Sequence, residues 1–377
     1  MGDYTDRKQK ELYEGKWSVY DTSDDDYTEM VEYLNSSDFR SFGEGLISII
    51  SKKTKEGESS FDCLRRCFEE KDISIKELGS HNTPRNWLNN GERPPKGETS
   101  RRKMFVLAFS LGLNADETAY LFQRVFLDRA FNPRNYKELI YYYCIENGFS
   151  LSKAEEMISQ VVIDKTENKD ETIYTKMLAS IIKDTKNDIE IIDYINSHPH
   201  NFSINSQSAV NIVEKYIERA KRSVLEEVEN FNLHNTTNKD KTSTNFMYET
   251  IIGQTITTDK GTGKSLFKNA GLPKEIAISF PTPQIFAKLY KNPTYDELRK
   301  MLILLFSYCF WYKIQKSNDY ANIDDYVEQL NDLLTEANLP TIYSGNPMDW
   351  LFCFCTMADK PLDTFRAILS EVLDREK

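Results

Sequence analysis

The 377-residue chain carries 48 Lys and Arg against 59 Asp and Glu, a net charge of −11, with 40% hydrophobic and 12% aromatic residues. That apolar content excludes wholesale disorder, and the acidic balance excludes a protein that coats nucleic acid or anionic membrane through bulk charge. Only 15 Gly and 12 Pro argue against many short strands joined by tight turns.

The N-terminal MGDYTDRKQKELYEGK lacks the apolar run of a secretion signal. A helix is predicted from about Tyr27, breaking at Asn35-Ser36-Ser37 and resuming as Phe39 to Ser51, where Phe42, Leu46, Ile49 and Ile50 make one apolar stripe. Lys52 to Ser60 reads as a solvated linker, and Phe61 to Lys71 as the next helix. Ser74 to Leu78 is a single-turn candidate, with Gly79 as the turn. Thr83 then caps a helix that has Pro84 at its first position and ends at Gly91. Pro95 forces Pro94 out of the α region, so residues 92–97 interrupt the helices. Thr99 or Ser100 is expected to cap a helix running to Gly112, and Asn114 to open another that ends before Asn132-Pro133. Tyr136 to Asn147 follows, stopped by Gly148, and Ser150 or Ser152 starts the next helix.

Beyond residue 165 the helical period persists through Glu171 to Ser197 and Ser206 to Phe231, with Leu233 to Asn245 as a polar linker. Gly253 to Lys264 and Gly271 to Pro283 read as irregular. Helices return at Tyr295 to Lys316, Ile323 to Ala337, Asp349 to Met357 and Pro361 to Asp374. The expected fold is all-α. Its expected segments are an acidic helical one (1–58), a helix-turn-helix-like domain (59–150), a helical connection (151–240) and a C-terminal helical domain (241–377).

One stretch reverses the average charge. Ser80 to Lys103 holds Arg85, Arg93, Lys96, Arg101, Arg102 and Lys103 against Glu92 and Glu98, a local +4 that leaves −15 for the remainder. A basic patch on an acidic body is the footprint of a small nucleic-acid-binding module. The short helix, Gly-containing turn and second helix form a helix-turn-helix pattern, which presents its second helix to the major groove. Thr83, Arg85, Asn86, Asn89 and Asn90 are the candidate base-reading residues, since Arg pairs bidentately with guanine and Asn with adenine. Arg93, Lys96, Arg101, Arg102 and Lys103 are the candidate phosphate contacts. Trp87 and Leu88 are expected to pin the reading helix to its core.

The run Thr83 to Gly91, T-x-x-N-W-L-N-x-G, resembles the recognition helix of lambda-repressor-like (XRE-type) helix-turn-helix domains of bacterial regulators. Leu107 to Phe122 is similar to the two helices that complete that fold, and the resemblance covers about a quarter of the chain. Asp128 to Ser150, with the pieces LPKEIAISFPTPQ, LRKMLILLFSYCFWY and YSGNPMDWLFCFC, looks like a larger, poorly characterised bacterial family. Two positions depart from the pattern: Arg85 falls where such motifs bury an aliphatic residue, and Ile75 replaces the small residue of the preceding helix. The resemblance implies a cytoplasmic DNA-binding regulator whose C-terminal region senses a signal or mediates assembly. The alternative is a protein-interaction or effector component of a mobile-element or phage-defence module.

No other constellation points to chemistry. Asp259 to Ser265 lacks the P-loop glycine, because position 258 is Thr, and reads as a loop. The aromatic rows Tyr141-Tyr142-Tyr143, Phe306 to Tyr312 and Trp350 to Cys355 read as buried core, with a homodimer or protein-partner surface as the other use of the C-terminal rows. The six Cys sit mostly in apolar stretches as small hydrophobes, and Cys63 and Cys67 have no second pair at ligand spacing. No enzyme, cofactor, metal or membrane role is expected: four scattered His leave little acid–base machinery, and Met301 to Tyr312 is too short to span a bilayer.

Overall fold

Every regular element among the described residues is helical. The computed structural model describes residues 10, 33–34, 39–80, 82–162, 187–202, 207–230, 240, 243–253, 280–291 and 293–374. Chain contacts gather into two units, Arg40–Ser206 and Met1–Phe39 with Gln207–Lys377. The expected loop at Asp259 to Ser265, most of the linker after Leu233 and the first part of the helix expected from Glu171 lie outside the described residues.

In the Arg40–Ser206 unit, α1 (Phe42–Ile50) opens on a capping box between Ser41 and Glu44 and buries Phe42, Leu46, Ile49 and Ile50, the predicted stripe. Helix α2 (Ser60–Glu70) is capped by Ser59 and buries Cys63, Leu64, Cys67 and Phe68. A 3-10 turn at Ile75–Leu78 leads through Gly79 to α3 (Thr83–Asn89). Gly79 sits at φ +125°, backbone that a side chain adopts only under strain. Helix α1 lies hard against α3 because Gly43 has no side chain: a Cβ there would come within 2.3 Å of the Trp87 carbonyl oxygen. The Phe42 and Trp87 rings meet edge to face at 5.6 Å, completing that contact.

Helix α4 (Glu98–Ser110) is not capped by Thr99 or Ser100, as expected, but by Gly97, without a side-chain bond. Ser100 is buried inside its first turn. Helix α5 (Ala115–Tyr120) has the predicted Asn114 start, a capping box with Glu117. It does not continue to Asn132. A π-helical turn, Leu121–Val125, follows directly, and Leu127 then reverses the chain at φ +55°. The carbonyls released at that end become acceptors for distant side chains, which is what shapes the candidate site. Helix α6 (Tyr136–Glu146), capped by Asn135, α7 (Leu151–Ser159), capped by Ser150, and α8 (Asp188–Ser197) complete the unit.

In the other unit, α9 (Gln207–Asn230), α10 (Thr244–Ile252) and α11 (Pro283–Ala287) precede α12 (Tyr295–Ser317). Helix α12 is apolar on all sides and buries nearly every residue from Met301 to Tyr312. It is surrounded by α9, α13 (Ile323–Glu336) and α15 (Pro361–Asp374), while α14 (Pro347–Thr356) packs on α13 and α15. The aromatic rows expected to be core are core: Trp311, Trp350, Phe352 and Phe365 are buried, with Trp311 stacked on Phe352 at 5.7 Å. These rings face their own unit's interior and leave no exposed platform. Two buried ion pairs knit the unit: Arg366 grips Glu227 with two N–H bonds while Tyr308 donates to the same carboxylate, and Arg299 holds Asp349. No described helix is long and apolar enough to cross a membrane.

Candidate nucleic-acid interface

Helix α3 has two faces because its apolar residues recur at helical spacing. Pro84, Trp87 and Leu88 are buried, whereas Arg85, Asn89 and Asn90 are exposed and Thr83 and Asn86 half-buried. Asn82, not Thr83, takes the cap position, and Pro84 supplies the preset φ of the first turn. The Thr83 hydroxyl lies 3.1 Å from the Ser80 hydroxyl instead. The Arg85 guanidinium lies 4.5 Å above the Phe61 ring. A cation over an aromatic face holds this side chain against the unit's surface. Lys103, on α4, brings its ammonium beside the turn, 3.3 Å from where a Cβ of Gly79 would sit. No ion pair involves Lys103 among the described residues.

The other four cations of the basic segment are taken up by the protein. Arg93 donates to the Val125 carbonyl at 2.6 Å, and Lys96 donates to the carbonyls of Phe126 and Leu127 with its ammonium over the Phe126 ring. These are the acceptors that the π turn sets free, at a helix end where the dipole favours positive charge. Arg101 is 8% exposed. It forms a two-pronged pair with Glu138 at 2.7 Å on both oxygens, meets Asp128 at 3.0 Å and donates to the carbonyls of Arg129 and Ala130. Burial works against ionised groups here, yet Glu138 and Asp128 hold the Arg101 guanidinium charged and raise its pKa. Burial would likewise raise the Asp128 carboxyl, but Arg101, Lys96 and the Arg129 N–H bring it down to about 2. Arg102 joins Glu77 of the 3-10 turn at 2.8 Å to Glu155 of α7 at 3.0 Å, and Tyr141 donates to the same Glu155 oxygen.

The phosphate role expected of Arg101 therefore meets a physical obstacle, and Arg93, Lys96 and Arg102 are already engaged by the protein's own acceptors. Arg101, whose donors are all met by Glu138, Asp128 and two backbone carbonyls, has none left to offer outside, whereas Arg102 is tied to Glu77 and Glu155 but keeps donors in reserve. Arg85, Asn89, Asn90, Thr83, Asn86 and Lys103 remain on or beside the outer face of α3. The residues missed by sequence reasoning are the receivers, Asp128, Glu138, Glu155 and the carbonyls of 125–130. Nothing local to residues 80–103 announces them.

No family model matches this chain, and neither curated proteins nor solved structures yield a match to it. The site is thus argued from its own geometry. All six Cys are buried, and burial pushes the Cys144 and Cys309 thiols up to about 12, where they stay protonated. Among the described residues no group of His, Cys, Asp and Glu is placed to hold a metal ion.

Proposed function

We propose that the Arg40–Ser206 unit binds duplex DNA by laying the outer face of α3 into the major groove. Arg85, Asn89 and Asn90 would face base edges, with Asn86 and Thr83 at the margin and Lys103 on a phosphate beside the turn. The remaining basic residues act as frame. The observation that supports this reading is the division of α3: its apolar edge is anchored by Trp87 and Leu88, and the opposite edge offers a guanidinium and amides to solvent. Those groups have the donor and acceptor geometry for guanine and adenine. The other unit, with its own sealed core, is left for sensing or assembly.

The test is selection of bound duplexes with the wild type, Arg85→Ala and Asn89→Ala. Each variant should lose about tenfold in affinity and relax preference at its own base position, since one bidentate contact discriminates by about 1–3 kcal/mol. Unchanged preference in both variants would overturn the reading.

A second reading has its own observation. With four cations withdrawn, and Glu92 and Glu98 exposed nearby, the α3 face is amide-rich rather than strongly basic. That composition also suits docking onto a protein. A stoichiometric protein complex that survives nuclease and breaks with Asn89→Arg would favour it over the DNA reading.

A further inference from the structure

The start of α4 and the start of α6 border a half-open cavity of about 190 Å³ lined by residues including Thr99, Arg102, Phe105, Asn135, Lys137 and Tyr141. Its apolar wall is a stacked pair, the Phe105 and Tyr141 rings at 4.9 Å and 29°. Around that wall stand several donors and one loosely held carboxylate, Glu98. Arg102 commits one Nη to Glu77 and the other to Glu155, leaving its Nε–H and a second hydrogen on each Nη. Among the described residues Lys137 meets Glu98, at 3.5 Å and on an exposed side chain, a weak tie in water. The Thr99 hydroxyl and the Asn135 amide nitrogen have no acceptor among the described residues. The carboxylate deepest in the wall, Glu138, is already saturated by Arg101 and the Asn132 N–H. The cavity's volume exceeds the roughly 150 Å³ that admits a benzene ring.

We propose that this cavity binds a small carboxylate with a flat apolar body, its oxygens on Lys137, Thr99 and Arg102 and its body against Phe105 and Tyr141. Occupancy displaces Glu98 from Lys137 and draws on Arg102, the residue that ties the 3-10 turn ahead of α3 to α7 through Glu77 and Glu155. A ligand carboxylate on Arg102 competes with Glu77 and Glu155 for the charge of one guanidinium, and so weakens the support of α3. This coupling, unlike the binding itself, rests on the DNA reading of α3.

The experiment is calorimetric titration of the full chain with benzoate and with benzamide, its neutral counterpart. Benzoate is expected to saturate with a dissociation constant on the order of 1 mM, and benzamide to bind about tenfold more weakly. Lys137→Ala should weaken benzoate about tenfold with unchanged thermal midpoint, and Lys137→Arg should restore most of it. Absence of saturation by benzoate, equal binding of the two compounds, or an unaffected Lys137→Ala variant would overturn the site. Saturating benzoate is also expected to lower duplex affinity at least about fivefold. If the duplex binds but ignores benzoate, the coupling is refuted. If no duplex binds at all, it is the DNA reading that fails, and the calorimetric result stands by itself.

Discussion

Residues 83–90 and residues 93–102 belong to one basic segment, yet the fold treats them oppositely. The first stretch turns Arg85, Asn89 and Asn90 to solvent, while the second sends Arg93, Lys96 and Arg101 into contacts with the chain from Val125 to Glu138. Composition does not separate them. What does is the company each keeps: α3 is flanked by apolar residues at i, i+3 and i+4, whereas the 93–102 stretch lies beside a helix end whose carbonyls have no intrahelical partner. A cation within reach of such acceptors and of a buried carboxylate becomes part of the frame. The other unit uses the same device where Arg366 meets Glu227 and the carbonyl of Thr250.

This contrast is broken most sharply at Arg101. Arg101→Ala leaves Glu138 buried without its guanidinium partner and Asp128 with Lys96 as its nearby cation, and should destabilise the Arg40–Ser206 unit by about 3–5 kcal/mol in a urea titration. A loss no larger than that of an exposed Arg would show that the pair is peripheral. The same cluster sets an acid limit. Asp128 titrates lower in the folded chain, at about 2, than the ordinary 3.8. Its stabilising contribution is therefore complete above about pH 4 and lost as pH falls through about 2. Acid titrations of the wild type and Asp128→Asn should diverge only over that window, and parallel curves would contradict the assignment.

A smaller effect is expected where α1 meets α3. Gly43→Ala places a methyl against the backbone oxygen of Trp87 and should destabilise by about 1–3 kcal/mol through overpacking. Because the methyl pushes α3 outward, amide exchange should accelerate in both helices together, and a neutral substitution would deny the close approach. Smallest in stability is Arg85→Ala, expected within about 0.5–1 kcal/mol of wild type because only an exposed contact with Phe61 is lost. A stability loss like that of Arg101→Ala would place Arg85 in the frame instead.

The helices were largely legible because their signals are local. Asn114 with Glu117, Pro84 at the head of α3, Gly148 after α6 and the apolar period of α12 all act within a few residues. The π turn was not, since it inserts no distinctive residue into a helical pattern and simply ends α5 early. The cap of α4 shifted to Gly97 because Ser100 was needed inside. The fate of the cations was hidden for another reason: Arg101 and Glu138 are 37 residues apart in sequence, and Arg102 and Glu155 are 53 apart. Charge counting sees the donors of such pairs and not their receivers. Half of the candidate site was thus legible as residue types on α3, while the sorting of ten candidates into readers and frame required tertiary contacts.

The central proposal is that, of the six cations between Ser80 and Lys103, Arg85 and Lys103 are the two that meet DNA. The salt dependence of duplex binding measures it most directly, because each phosphate neutralised adds about −0.9 to the slope of log K against log salt. Two outward cations predict a slope of about −2. A slope near −5, as six phosphate contacts would give, would contradict the division of the segment.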